Sequence, residues 1–120
     1  MLNIEEKTKA IVDALEDIKA EDIAVIDTSK LSPLFERMII ASAKSTRQTK
    51  AIADNVVVKL KELGEPVGGR EGEDSGEWIL IDLGEVLVHV MQPAVRQYYN
   101  LEELWSKGQT FRPKLAQKPE

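Results

Sequence analysis

The stretch from Glu77 to Gln92 constrains this chain most, because it is the longest run of strand-favouring residues in the sequence. Gly84 interrupts the run near its middle, and glycine readily adopts the positive φ that a tight hairpin turn requires. The sequence therefore predicts two antiparallel strands joined by a two-residue turn at Leu83 and Gly84. In that register Asp82 lies opposite Glu85.

Side chains alternate across a strand, so the two faces of the predicted hairpin follow from the sequence. One face is wholly apolar and β-branched, and we expect it to pack in the core: Ile79, Ile81, Val86, Val88 and Val90. The other, which we call the mixed face, carries aromatic, aliphatic and charged side chains: Trp78, Leu80, Asp82, Glu85, Leu87, His89 and Met91. Such a mixture is typical of a contact surface. It also suits a face that the C-terminal segment of the same chain partly covers, and the pattern leaves both interpretations open.

Charge is distributed unevenly along the chain. The net charge is −5, yet no lysine or arginine lies between Glu71 and Val95, where several acids including Glu73 and Asp74 occur. A region of this kind repels a phosphate backbone and attracts a basic protein surface. The sequence therefore predicts a basic protein partner for this region, and no direct sequence-specific binding of nucleic acid.

Composition limits the class of protein further. A chain of 120 residues without cysteine is expected to form one domain that folds without a disulfide or a thiolate metal site. His89 is the single histidine, which excludes a histidine-rich metal site. No apolar run approaches the length of a membrane span and no signal peptide opens the chain, so we expect a cytoplasmic protein without a metal or other cofactor.

The rest of the chain alternates between helical and strand patterns. Capping boxes at Asn3 with Glu6 and at Ser45 with Gln48 predict two amphipathic helices. Further elements are expected as strands at 23–26, 38–41 and 66–67 and as helices at 93–99 and 101–105. The order predicts a single small α/β domain over residues 1–106, with a mixed sheet and helices packed on it, followed by a mobile basic tail over residues 107–120.

Three other candidate sites have simpler explanations. The glycine-rich segment 68–72 lacks the lysine and hydroxyl residue of a phosphate-binding loop, and a turn is the preferred interpretation. Asp27 and Asp82 both end strands and could hold magnesium, but aspartate at a strand end more often caps the backbone. The small basic patch of Lys44, Arg47 and Lys50 is best explained as a solvated face, with RNA contact as the alternative.

The hairpin at 77–92 occurs together with Arg96, Tyr99 and a Leu101-Glu-x-Leu104-Trp105 ending. In this combination, and with the helix start at Ser45-Thr-Arg-Gln48, the chain resembles the bacterial ribosomal silencing factor family, also called Iojap-related proteins, over roughly residues 3 to 106.

The resemblance implies a translation regulator that is not an enzyme. Members bind the large ribosomal subunit through its universal protein fourteen and block joining of the small subunit, with a fold similar to that of nucleotidyltransferases. It also implies that Trp78 is a partner contact. We expect the same surface to include Leu80, Asp82, Leu87, His89, Met91, Glu73, Asp74 and Tyr99, and to support a weak homodimer. The alternative is a nucleotidyltransferase-like enzyme that uses Asp27 and Asp82 with magnesium.

Overall fold

The computed structural model describes residues 2–105 and the backbone of residues 109–111. Within these residues one mixed sheet of six strands forms the centre, and helices pack on both of its faces. The elements in chain order are α1 (Ile4–Asp17), β1 (Glu21–Asp27), β2 (Arg37–Ser42), α2 (Thr46–Glu62), β3 (Gly69–Glu71), β4 (Trp78–Asp82), β5 (Val86–Met91), α3 (Pro93–Tyr99), α4 (Leu101–Leu104) and β6 (Gln109–Phe111). The predicted α/β class and mixed sheet are confirmed.

The strands lie in the order β3-β4-β5-β2-β1-β6. The central pair β2 and β5 is parallel, and the other neighbours are antiparallel. The third predicted strand lies at Gly69–Glu71 instead of 66–67. β6 pairs with the last residues of β1, so three residues of the predicted mobile tail are part of the sheet. The other residues of that tail lie outside the described part of the chain.

Side-chain caps start the two long helices. Asn3 and Glu6 form the predicted reciprocal capping box at α1. At α2 the Ser45 hydroxyl accepts the backbone N–H of Gln48, but the Gln48 amide donates to the carbonyl of Ile18, so the predicted box is only half formed. No helix among the described residues is long and apolar enough to cross a membrane.

Two apolar layers bury the two faces of the sheet. The larger layer joins α1 and α2 to the apolar face of the hairpin, whose residues Ile79, Ile81, Val86, Val88 and Val90 have no exposed surface, as predicted. The smaller layer lies on the opposite face and consists of Ile26, Met38, Ile40 and Met91 under Phe35, Trp78, Val95, Leu101 and Trp105. The mixed face of the hairpin therefore lies on the side of α3 and α4.

The hairpin turn lies one residue later than predicted. The backbone N–H of Leu83 donates to the carbonyl of Val86, which leaves Gly84 and Glu85 as the turn, and Asp82 lies opposite Leu87. The predicted faces are retained, because moving the turn by one residue changes each pairing by two positions. The later turn allows Leu83 to be fully buried. Gly84 is the first residue of this turn and has the positive φ of 84° that the position requires.

Lys7 of α1 is buried and connects three segments. Its ammonium group donates to the carbonyl of Leu83 and to Glu85, 2.8 Å away, and lies 3.5 Å from the carboxylate of Glu65. The hydrogen bond from Lys7 lowers the pKa of Glu85 below its usual value. Glu65 is itself buried and also accepts the backbone N–H of Leu2. This network fixes the turn of the hairpin to α1 and to the segment after α2.

We expect Lys7→Met to lower the free energy of unfolding by about 3–5 kcal/mol, because it leaves the buried carboxylate of Glu65 without its compensating charge. Denaturant unfolding measures this loss. The double variant Lys7→Met/Glu65→Gln should recover part of it, since the unpaired charge is then absent. A single variant within about 1 kcal/mol of the parent protein would show that the network does not stabilise the fold.

Candidate functional site

The mixed face is open at one end and covered at the other. Met91 is fully buried in the layer beneath α3 and α4, and His89 is only 6% exposed. The structure therefore leaves Met91 no surface with which to touch a partner, which corrects its place among the predicted contacts. Glu85 is not part of this face either, because its carboxylate points towards Lys7 in the hairpin turn. The open part consists of the half-buried Trp78, Leu80 and Leu87 and the exposed Asp82.

Trp78 lies at the boundary between the covered and open parts. Its indole N–H donates to Nδ1 of His89 at 2.9 Å, and its ring lies against that of Tyr99 with centroids 4.8 Å apart. Burial lowers the pKa of His89 from its ordinary 6.5 to about 4, so the imidazole is neutral at physiological pH. The indole is thus oriented by a hydrogen bond on one side and a ring contact on the other.

The short helix α3 brings Tyr99 to Trp78, although the two are distant in the sequence. Arg96 fixes this helix, because its guanidinium group donates to the Ser42 hydroxyl of β2 at 2.8 Å and to Glu102 at 2.9 Å. Tyr99 remains 54% exposed and its neighbour Tyr98 82% exposed. The two tyrosine rings and Trp78 therefore form a continuous aromatic surface beside the open part of the mixed face.

The acidic loop, residues 72–76, packs against both Trp78 and α2. A Cβ at Gly72 would lie 1.9 Å from the backbone carbonyl oxygen of Trp78, so only glycine permits this approach. At the other end of the loop the buried hydroxyl of Thr49 donates to the carbonyl of Gly76. The loop is therefore fixed in position next to Trp78 before any partner arrives.

Arg70 distinguishes the two acids of the predicted contact surface, because it forms an ion pair with Glu73. Its guanidinium group lies 2.7 Å from a carboxylate oxygen of Asp54 on α2 and 3.0 Å from one of Glu73. Glu73 therefore has a cationic neighbour within the chain, whereas Asp74 is exposed to solvent. The spacing of three residues between Arg70 and Glu73 could have suggested this pair in advance, but nothing in the sequence identifies Asp54 as the second partner.

A cleft of about 350 Å³ opens on the mixed face between β3 and the hairpin. It is lined by Leu80, Leu87, the acidic Asp82 and Glu71, and Arg70, and Gly69 leaves its wall without a side chain. The charge of Arg70 is already paired with Asp54 and Glu73. An apolar floor beside carboxylates suits a long basic side chain, whose methylene groups pack while its charge meets the acid.

Asp27 and Asp82 are too far apart to share a magnesium ion. They lie at the same edge of the sheet, but β5 and β2 separate their strands. Three strand spacings correspond to about 14 Å. Each carboxylate instead caps a local turn, Asp27 at the N–H and hydroxyl of Ser29 and Asp82 at the N–H of Gly84. Among the described residues no group of three or more acidic, histidine or cysteine side chains could hold a metal.

The glycine-rich segment 68–72 is mainly the edge strand β3, paired with β4. The Arg70 side chain, the natural phosphate ligand of this segment, is already occupied by two carboxylates. The turn preferred from the sequence is therefore wrong, because residues 69–71 extend as a strand along β4. In the basic patch Lys44 and Arg47 are exposed, and Lys44 lies 4.0 Å from Glu21.

We expect His89 to make the stability of the fold depend on pH. The unfolded chain binds a proton at His89 near pH 6.5, whereas the folded protein does so only near pH 4. Stability is therefore complete above pH 6.5 and is lost as the pH falls towards 4, by about 2 kcal/mol between pH 7 and pH 5. Denaturant unfolding of the parent protein and His89→Gln at both pH values isolates this effect. A difference between the two proteins that does not change with pH would contradict it.

Comparison with known proteins agrees with the resemblance in the sequence. A family model described as ribosomal silencing factor during starvation matches residues 2–120. A ribosomal silencing factor from Chromobacterium violaceum is 57% identical over 104 residues, which cover 87% of this chain and 85% of that protein. One from Haemophilus influenzae is 38% identical over 96 residues, covering 80% of this chain and 94% of that protein. A crystal structure from Chromobacterium violaceum has a TM-score of 0.86 at 52% identity and covers 99% of this chain and 92% of that one. The chain belongs to the ribosomal silencing factor family.

Proposed function

We propose that this protein binds the large ribosomal subunit through the universal protein fourteen of that subunit and sterically blocks joining of the small subunit. It acts in the cytoplasm as a binding protein that represses translation, without catalysis. The observation that carries this proposal is the partly exposed Trp78, oriented by His89 and Tyr99 at the edge of an open apolar surface. A rigid aromatic side chain surrounded by aliphatic ones is a common interface anchor.

The charges around Trp78 support a basic partner. Asp82 is exposed within the open part of the mixed face and Asp74 is exposed in the acidic loop, and the cleft beside Leu80 and Leu87 suits a lysine or arginine side chain. Proteins of the ribosome lie against RNA and are commonly basic, so an acidic surface favours contact with protein over contact with phosphate. The contact surface comprises Trp78, Leu80, Asp82, Leu87, Asp74 and Tyr99, with His89 and Glu73 at its margin.

Co-sedimentation with purified large subunits tests the binding step. We expect the protein to travel with large subunits and not with joined ribosomes, because a steric block requires the free joining face. Light scattering during mixing of the two subunits should show slower joining as the protein is added. Binding to joined ribosomes with equal affinity would contradict the proposal.

We expect Trp78→Ala to weaken binding to the large subunit by roughly thirty-fold, since truncating an interface anchor costs about 2 kcal/mol or more. Because Trp78 is half-buried in the smaller apolar layer, its removal also costs some stability, but less than for a fully buried side chain. Affinity and thermal unfolding are measured on the same variant.

Trp105→Ala is the matched control, because Trp105 belongs to the same layer but its ring packs on Phe35, whereas the ring of Trp78 packs on His89 and Tyr99. It should lower the melting temperature while leaving the affinity nearly unchanged. An equal loss of affinity in both variants would mean that Trp78 acts through stability alone.

We expect charge reversal of the acidic loop to slow association. Glu73→Lys with Asp74→Lys should lower the association rate at low salt, and raising the salt should reduce the difference from the parent protein, because screening weakens steering. The control is Asp17→Lys with Glu62→Lys, the same charge change at exposed ends of α1 and α2, whose layer packs on the other side of the sheet. Stopped-flow binding compares the variants, and an equal slowing in both would exclude local steering.

The isolated protein is proposed to form a weak homodimer through part of the same surface. The exposed aromatic and aliphatic side chains of Tyr98, Tyr99 and Leu104 beside Trp78 support this, because open apolar patches favour self-association. The dimer must then separate before it binds the subunit. Sedimentation velocity at high micromolar concentration tests the idea, and a strict monomer would exclude it.

A further inference from the structure

The imidazole of His89 lies in a position that stability alone does not explain. Its Nδ1 accepts the indole N–H of Trp78, so Nδ1 carries no proton and the neutral ring bears its hydrogen on Nε2. That Nε2 atom is buried and has no hydrogen-bond partner among the described residues. A buried polar atom without a partner is unfavourable. An apolar side chain at this position would avoid that cost.

The hairpin register explains how the two side chains meet. His89 on β5 lies directly opposite Leu80 on β4, and Trp78 lies opposite Met91, so the two rings are diagonal neighbours on one face. Diagonal pairs are within reach of aromatic side chains. Their ring centroids are 5.9 Å apart, and the indole N–H points at the imidazole nitrogen over 2.9 Å. The bond is therefore directional, and it defines one rotation of the indole about its side-chain bonds.

We propose that His89 is a positioning residue, which holds the indole of Trp78 in the orientation that a binding partner meets. The inference rests on the proposed function, in which Trp78 is the contact. Tyr99 packs on the indole with a centroid distance of 4.8 Å but is itself half exposed. It therefore restricts the space open to the indole ring but does not set the direction of its N–H. A side chain already fixed in its bound orientation loses less conformational freedom on association. His89 thus contributes to affinity although it is nearly inaccessible to the partner.

Two amide substitutions separate this role from simple packing. Asparagine places its side-chain oxygen near the position of Nδ1, whereas glutamine places its polar atoms one carbon further out, near Nε2. His89→Asn should therefore keep an acceptor for the Trp78 N–H, and His89→Gln should remove it. Both remove the imidazole ring and both leave a neutral amide, so the effects on packing are comparable.

The first readout is the NMR resonance of the Trp78 indole N–H. The chain has two tryptophans, and Trp105→Phe assigns the two indole signals. We expect the Trp78 signal to keep its hydrogen-bonded shift in His89→Asn, and to move and broaden in His89→Gln. The second readout is affinity for large subunits. It should stay within about twofold of the parent protein in His89→Asn and fall about fivefold in His89→Gln, the size of effect that one hydrogen bond produces.

The outcomes distinguish the inference from the function on which it rests. If Trp78→Ala weakens binding and His89→Gln does not, the positioning role is wrong and the proposed contact remains. If Trp78→Ala itself binds like the parent protein, both proposals fail at the contact. If both amide variants lose affinity equally and in proportion to their melting temperatures, His89 is structural only. Retained binding in His89→Asn with loss in His89→Gln supports the proposal.

Discussion

The buried ammonium group of Lys7 is the interaction on which the arrangement of the hairpin depends. It joins α1 to the carbonyl of Leu83 and to the carboxylates of Glu85 and Glu65. A buried charge is tolerated only when partners compensate it, and here those partners come from two separate segments, the hairpin turn and the segment after α2. The hairpin turn therefore has one position relative to the helices. Trp78 and the acidic loop, at the other end of the same hairpin, are placed accordingly.

Local patterns predict the parts of this fold that local physics determines. The two-residue alternation of the hairpin gives its faces correctly, because burial of Ile79, Ile81 and Val88 leaves no other choice. The turn lies one residue later than predicted, at Gly84 and Glu85 instead of Leu83 and Gly84. This position buries Leu83 in the core and allows Glu85 to bind Lys7. Neither contact is visible before the helix and the hairpin are brought together.

The proposed contact surface is harder to predict, because it depends on what α3 and α4 cover. The sequence identifies the mixed face, but only the structure shows that Met91 is buried while Leu80 and Leu87 stay open. Asp27 and Asp82 illustrate the same limit. Both end strands, as the sequence indicates, yet the strand order separates them. Sequence patterns give the direction of side chains within an element and do not give the order of elements in a sheet.

The parallel pairing of β2 with β5 has a consequence for how the surface can be reproduced. Met38 pairs with Leu87 and Ile40 with His89. Strand β5, which carries part of the mixed face, is therefore held by β2, whose residues lie about fifty positions earlier in the sequence. Tyr99 and the loop at Gly72 approach Trp78 from the two flanks of the hairpin in the sequence. A peptide of residues 72–99 contains every residue of the proposed contact surface but lacks β2, the strand that pairs with β5. The proposed contact surface therefore exists only in the complete fold, and an unfolded or truncated chain lacks it even though each of its residues is present.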